Sequence, residues 1–143
     1  MLRGIPDLIS PELLKILSEM GHGDDLVIGD LNFPAASNAQ RLVRLDGHPV
    51  APVLKAILDL FPLDIYVESP VSVMQVAPGD PTVPKIQETI RSLVKVWDQR
   101  PAAVGLVERF EFYEKAKKAY AIVSTGETAL YACVILKKGV FGR

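Results

Sequence analysis

Short apolar runs and amphipathic stretches take turns along this chain, and that alternation constrains the fold more than any other feature. Leu26-Val27-Ile28 is too short for a buried helix and is bounded by acids and glycine, which predicts a buried strand. Strands are also expected over Arg41 to Leu45, Val71 to Val76, Val104 to Val107, Ala121 to Val123 and Leu130 to Leu136. Helices fall between them. Ser10-Pro11-Glu12 is a start signal: a capping hydroxyl, a proline suited to the first turn, and a carboxylate that complements the helix dipole. Leu13, Ile16, Leu17 and Met20 then share one face, and Gly21 is the expected stop. A second helix begins near Ala51-Pro52, carries Leu54, Ile57, Leu58 and Phe61 on one side, and ends at Pro62. Pro84 opens a third, with Ile86, Ile90, Leu93, Val94 and Trp97, and a shorter helix runs around Phe112 to Ala119. Such alternation predicts an α/β fold whose sheet is mostly parallel and covered by helices on both faces. The last two strands follow each other directly, with Gly126 in the turn between them, so the sheet is expected to be mixed.

The chain fits one domain over residues 1–143, with no internal repeat, low-complexity tract or linker. Its hydrophobic fraction of 49% supplies a core without a staple, and its one cysteine, Cys133, leaves no internal disulfide to form. The opening MLRGIPDLIS lacks the apolar stretch of a signal peptide, and the most apolar region, AYAIVSTGETALYACVIL, is interrupted by Ser124, Thr125, Glu127 and Thr128. A cytoplasmic protein with no membrane partner is expected.

Charge and motif content remove several function classes. Sixteen Lys and Arg face seventeen Asp and Glu, for a net charge of −1, so the basic excess of a nucleic-acid binder is missing. The clusters Lys115, Lys117, Lys118 and Lys137, Lys138 are short and read as solvated faces. With only His22, His48 and Cys133 as nitrogen or sulfur donors, a zinc site is not expected. No glycine-rich phosphate loop and no Gly-x-Ser-x-Gly elbow occurs. Cys133, inside LYACVIL, reads as a buried thiol, and His48, in LDGHPV, as an exposed loop residue. A neutral small substrate suits this balance, with no cofactor.

Polar residues at strand ends are where such a sheet holds a ligand. Three positions qualify. His22 lies between two glycines in MGHGDD, before the first strand; Asp30 ends that strand in VIGDLNFP; Arg109 follows VGLVE. From spacing alone each also fits a plain structural role, as a residue near a helix end, a loop cap and a surface ion-pair partner respectively.

The segments LISPELLKILSEMGHGDDLVIGDLNFPA, ERFEFYEKAKKAYAIVSTGE and LYACVILKKGV resemble the L-fucose mutarotase family, whose relatives include the D-ribose pyranases. The likeness runs over nearly the whole chain, and YVESPVSVMQVAPGD is similar to the animal-type branch. The resemblance implies an α/β fold and a homo-oligomeric ring, decameric in bacterial members, with active sites where subunits meet. It implies that His22 is the acid–base histidine and that Asp30 and Arg109 bind sugar, with Asp30 also expected to be catalytic. It further implies that Tyr131, Ala132 and Cys133 occupy the family's Tyr-Gly-Asn or Tyr-Ala-Asn stretch. Cys133 departs from that pattern, since a thiol offers one weak donor where an amide offers two donors and an acceptor. On a strand Tyr131 and Cys133 share a side and Ala132 takes the other. The implied activity is interconversion of the α and β anomers of free L-fucose. A D-ribose pyranase and a non-catalytic monosaccharide-binding protein are the alternatives.

Overall fold

The computed structural model describes residues 1–142. In chain order the elements are α1 (Pro11–Glu19), β1 (Asp25–Gly29), α2 (Ala35–Asn38), β2 (Leu42–Leu45), α3 (Val50–Leu58), β3 (Val71–Met74), α4 (Lys85–Lys95), β4 (Val104–Val107), α5 (Arg109–Lys118), β5 (Ala121–Thr125) and β6 (Val134–Lys137). The strands form one six-stranded sheet in the order β2-β5-β1-β6-β3-β4. Within it β1, β2 and β5 pair in parallel, as do β3 and β4, while β6 lies antiparallel between β1 and β3. The sheet is therefore mixed and mostly parallel, as the alternation predicts, but for a different reason. β5 and β6 are not a hairpin: β1 separates them, and the connection from Gly126 to Cys133 crosses the end of the sheet.

Side chains alternate across the sheet and feed two cores. Leu26, Ile28, Val71, Val73, Val123, Val134 and Leu136 pack with Leu13, Leu17, Leu54, Ile57, Ile90 and Val94, which come from α1, α3 and α4. Val27, Ile122, Cys133 and Ile135 face the other way, against Phe33, Phe112 and Ala116. Phe112 and Ala116 are four residues apart, one helical turn, and both are fully buried. Burial of Phe112 alone contributes about 1.5–3 kcal/mol.

Local signals account for the helix starts. Ser10 Oγ accepts the Leu13 N–H at 3.2 Å, with Pro11 in the first turn. α1 then ends at Glu19 with Met20 as its cap in an extended conformation, so Gly21 lies outside the helix rather than closing it. α3 ends at Leu58, one turn before Pro62. β3 stops at Met74, two residues short of the expected Val76. The largest difference is at the last strand, expected from Leu130: β6 starts at Val134, because Tyr131 has φ +60° and no strand passes through that conformation. Among the described residues no helix is long and apolar enough to cross a membrane. His48 is exposed in the turn before α3, as expected.

Candidate functional site

Five strands run in one direction, so their carboxyl ends gather at one edge of the sheet, and the connection into β6 joins them there. A cavity of about 220 Å³ opens at this edge, lined by Asp30, Asn32, Phe33, Met74, Asp80, Arg109, Tyr113, Leu130, Tyr131 and Cys133. Drug-sized ligands occupy roughly 300–1,000 Å³, so this space suits a smaller molecule. A larger cleft of about 480 Å³ lies between α1 and the carboxyl-terminal segment. Its walls are mostly leucine, phenylalanine, proline and valine, and its one amine, Lys138 Nζ, is already bound to the Leu17 and Met20 carbonyls. The smaller cavity holds the chemistry.

Asp30 follows β1 directly. The strand end on one side of it is tied by Thr125 Oγ1, which donates to the Gly29 carbonyl at 2.6 Å. The loop on the other side is tied by Leu31 N–H, which donates to the Glu127 carbonyl at 2.8 Å. Its own N–H donates to Cys133 Sγ at 3.4 Å, and its carboxylate accepts the Asn32 N–H at 3.0 Å. Burial pushes the Asp30 carboxyl above its ordinary value, against the lowering effect of the Asn32 N–H, Cys133 and the Phe33 N–H. A carboxyl so placed exchanges a proton closer to neutrality than a solvated aspartate does.

Arg109 is the first residue of α5, which begins three residues before the expected Phe112. Glu108 caps this helix, its carboxylate accepting the Phe110 and Glu111 N–H groups at 3.0 and 3.1 Å. A guanidinium at a helix amino terminus sits against the dipole. Arg109 packs over the Phe110 ring at 4.7 Å and, among the described residues, has no ion-pair partner. An exposed, uncommitted fork beside a half-buried carboxylate is suited to hold hydroxyls.

Tyr131 is held at both ends. Its carbonyl accepts from Gln87 Nε2 at 3.1 Å, and that buried amide also donates to the Met74 carbonyl at 2.8 Å. Its hydroxyl lies against Asp80 and the Ala77 N–H. Cys133 closes the floor: it is 2% exposed, and burial pushes its thiol far up, so it is a wall and a weak acceptor rather than a nucleophile. Ala132 turns the other way, fully buried in the opposite core, so only its backbone is near the cavity. The expected division of these three residues therefore holds, although the turn at Tyr131 and not a strand produces it.

His22 is not in this cavity. It precedes β1, whereas Asp30 follows it, and β1 from Asp25 to Gly29 separates the two by about 13 Å or more at roughly 3.3 Å per residue. At its own end of the sheet His22 Nε2 lies 3.2 Å from Asp64 Oδ1, and its ring is 5.7 Å from that of Tyr66. The imidazole is 45% exposed and its carboxylate partner 4%. Burial pushes the Asp64 carboxyl up, but the Tyr66 N–H, His22 and the Lys137 charge together hold it below the usual range. Arg100 fixes this loop by donating to the Val67 and Ile65 carbonyls at 3.0 and 3.3 Å while paired with Asp98. Gly139 is required there, since a Cβ would stand 2.5 Å from the Leu63 carbonyl oxygen. The result is an imidazole oriented by a buried carboxylate and open to solvent, where a bound molecule could reach it.

Sequence reasoning missed Asp64, Asp80, Gln87 and Tyr113. Asp64 carried a signal, a lone charge in the apolar run FPLDIY, and Tyr113 lies one turn after Arg109 on the same helix. Asp80, in PGDP, reads as an ordinary turn, and Gln87 as one more polar residue of a helix.

The fold and the cavity define a small-molecule-binding α/β domain with its site at the carboxyl edge of a mixed sheet. The chain belongs to the RbsD / FucU transport protein family, whose model matches residues 3–141. It is 50% identical to the L-fucose mutarotase of Actinobacillus pleuropneumoniae serotype 5b (strain L20), covering 98% of this chain and 97% of that protein. It is 48% identical to the fucose mutarotase of Homo sapiens, with 97% and 94% covered. The crystal structure of the fucose mutarotase in complex with L-fucose from Streptococcus pneumoniae superposes with a TM-score of 0.94 at 50% identity, over 99% of this chain and 100% of that one.

Proposed function

We propose that this protein is an L-fucose mutarotase, an isomerase that interconverts the α and β anomers of the free sugar. The observation that carries the reading is the convergence of Asp30, Arg109 and Tyr131 on one small cavity, in a chain similar to a mutarotase crystallised with L-fucose. A pyranose is a cyclic hemiacetal. To change anomer, the anomeric hydroxyl loses a proton and the ring oxygen gains one. The ring opens to an aldehyde, the C1–C2 bond turns, and closure follows on the other face. No electrons move and no group is transferred, so proton transfer and positioning are the whole task, and no cofactor is called for. Asp30 moves a proton and binds a hydroxyl; Arg109 and Tyr131 hold the sugar's remaining oxygens; Cys133 and the Ala132 backbone close the floor.

The imidazole comes from a second copy. Within one chain His22 and the cavity occupy opposite ends of β1, so a complete site needs the His22–Asp64 pair of a neighbour. Exposed apolar side chains support this arrangement: Leu130 lines the cavity, Leu31 and Phe110 adjoin Asp30 and Arg109 in the chain, and at the other end Tyr66 stands beside His22 with Ile65 next to it in the chain. Two different patches that fit each other head to tail generate a closed ring where the rotation between copies closes. We read the assembly as such a homo-oligomer, decameric by the family resemblance, with a sugar site at each boundary. A cytoplasmic location accords with the single reduced cysteine.

The test is magnetisation transfer between the anomeric protons of L-fucose, with and without protein and without added metal or nucleotide. Faster transfer is expected. Unchanged transfer for L-fucose, D-ribose and related sugars at high protein concentration rejects the enzyme. Faster transfer for D-ribose alone rejects the substrate and leaves a pyranase.

A further inference from the structure

Tyr131 is the one non-glycine residue with positive φ among those described, a conformation that costs of order 1–3 kcal/mol and persists only where the surroundings over-determine it. Here they do. Gln87 fixes its carbonyl, and the loop between β3 and α4 fixes its hydroxyl. That loop turns at Gly79, φ +82°, which brings Asp80 to the rim of the cavity. Tyr131 Oη donates to Asp80 Oδ2 at 2.5 Å and accepts the Ala77 N–H at 3.2 Å. The other Asp80 oxygen accepts the Thr82 N–H at 2.9 Å. A phenol has one proton and two lone pairs. The proton and one lone pair are thus committed inside the protein, and one lone pair remains.

We propose that Asp80 is a positioning residue that makes Tyr131 a pure acceptor toward the sugar, so that the site selects a hydroxyl able to donate at that point. This rests on the reading of the cavity as a monosaccharide site. Asp80 takes up the phenolic proton, aims the ring across the cavity and, through its charge, strengthens the remaining lone pair as an acceptor. The charge states agree: Thr82 and Tyr131 hold the Asp80 carboxyl below its usual value, and Asp80 in turn pushes the Tyr131 phenol up.

A double-mutant cycle on L-fucose exchange tests the role. Tyr131→Phe and Asp80→Asn each preserve shape, and each is expected to lower kcat/KM by about ten-fold, the scale of one lost charge-assisted hydrogen bond, mainly through KM. Combined, they are expected to be no worse than Tyr131→Phe alone. A wild-type rate for Asp80→Asn, or losses that multiply, overturns the proposal, the latter because Asp80 then contacts sugar by itself. A second readout needs no sugar. In protein carrying ¹³C-labelled tyrosine, the resonance lost in Tyr131→Phe is expected to titrate above an ordinary phenol, and to titrate lower in Asp80→Asn. An unshifted midpoint overturns the pairing even if exchange is slowed. If wild-type protein does not speed L-fucose exchange, the enzymatic reading falls, and the tyrosine titration still decides whether Asp80 governs Tyr131.

Discussion

The two ends of β1 carry different chemical groups in different settings. At the carboxyl end, Asp30, Arg109 and Tyr131 surround a cavity and are well placed to bind, but no imidazole is among them. At the amino end, the His22 imidazole lies on the surface against the buried Asp64 carboxylate, with no such set of polar side chains around a cavity. The cavity end is over-determined by hydrogen bonds from four segments, whereas the imidazole is nearly half exposed. A strand spans too great a length for either half to serve the other within one chain. Rigid placement of the two halves at opposite ends makes sense if contact between copies brings them together.

The sharpest way to break this comparison is to remove one half at a time. His22→Ala is expected to slow anomer exchange by about 10² or more, the scale of a lost general acid–base group, with the fold kept and sugar affinity nearly unchanged. Arg109→Gln is expected to lose affinity instead. Co-expression of the two inactive variants then restores activity, because random mixing leaves about a quarter of the sites with both halves intact. Sedimentation or light scattering must show an oligomer in the same samples. A fully active monomer, or mixed protein that stays dead, means that the two ends do not share a site.

Asp30→Asn gives a smaller effect with two signs. Affinity and exchange rate are both expected to fall. Stability is expected to rise near neutral pH, because burial holds the native carboxyl above its unfolded value of about 3.8. A raised acid is a burden only where it is ionised: the difference between variant and wild type is absent below the unfolded value, grows as pH rises through the native value, and is complete above it. Melting curves across that window check the sign. A variant less stable than wild type at pH 7 shows instead that the Asn32 and Phe33 contacts need the charge.

The smallest effect is expected at Cys133. Its Sγ already accepts the Asp30 N–H, so in Cys133→Asn the amide oxygen takes over that contact and the NH₂ is left facing the cavity. A gain in kcat/KM of a few-fold to about ten-fold is expected, the scale of a neutral hydrogen bond of roughly 0.5–1.5 kcal/mol. A less stable protein with no gain in rate assigns the position to the core alone.

Much of this was legible in the sequence where local physics decides. Ser10 and Pro11 mark a helix start, Leu26-Val27-Ile28 marks a central strand, and both are found where expected. Tyr131 defeats the reading of a continuous strand because LYACVIL has the pattern of one, while the left-handed turn is imposed by Gln87 and the loop before α4, residues remote in sequence. α2 is only four residues long, and no periodicity shows over such a length. The candidate site was legible as separate residues, and the strand between MGHGDD and VIGD already sets His22 and Asp30 at opposite ends of β1. Which further residues gather at each end depends on strand order and direction, which no local segment states. Asp64 and Asp80 reach their partners only through the crossing of the sheet.

The position of β6 also bears on how the molecule is made. It is the last element of the chain, yet it is the seam between β1 and β3, pairing residues such as Leu26 and Leu136. Until it is synthesised, the sheet exists as two unjoined pieces, β2-β5-β1 and β3-β4, each with an open edge. Closure of the sheet therefore waits on β6, is dominated by contacts distant in sequence, and is slow for that reason. A chain cut off before Val134 keeps the facing edges of β1 and β3 unpaired and ready to join the edges of other chains.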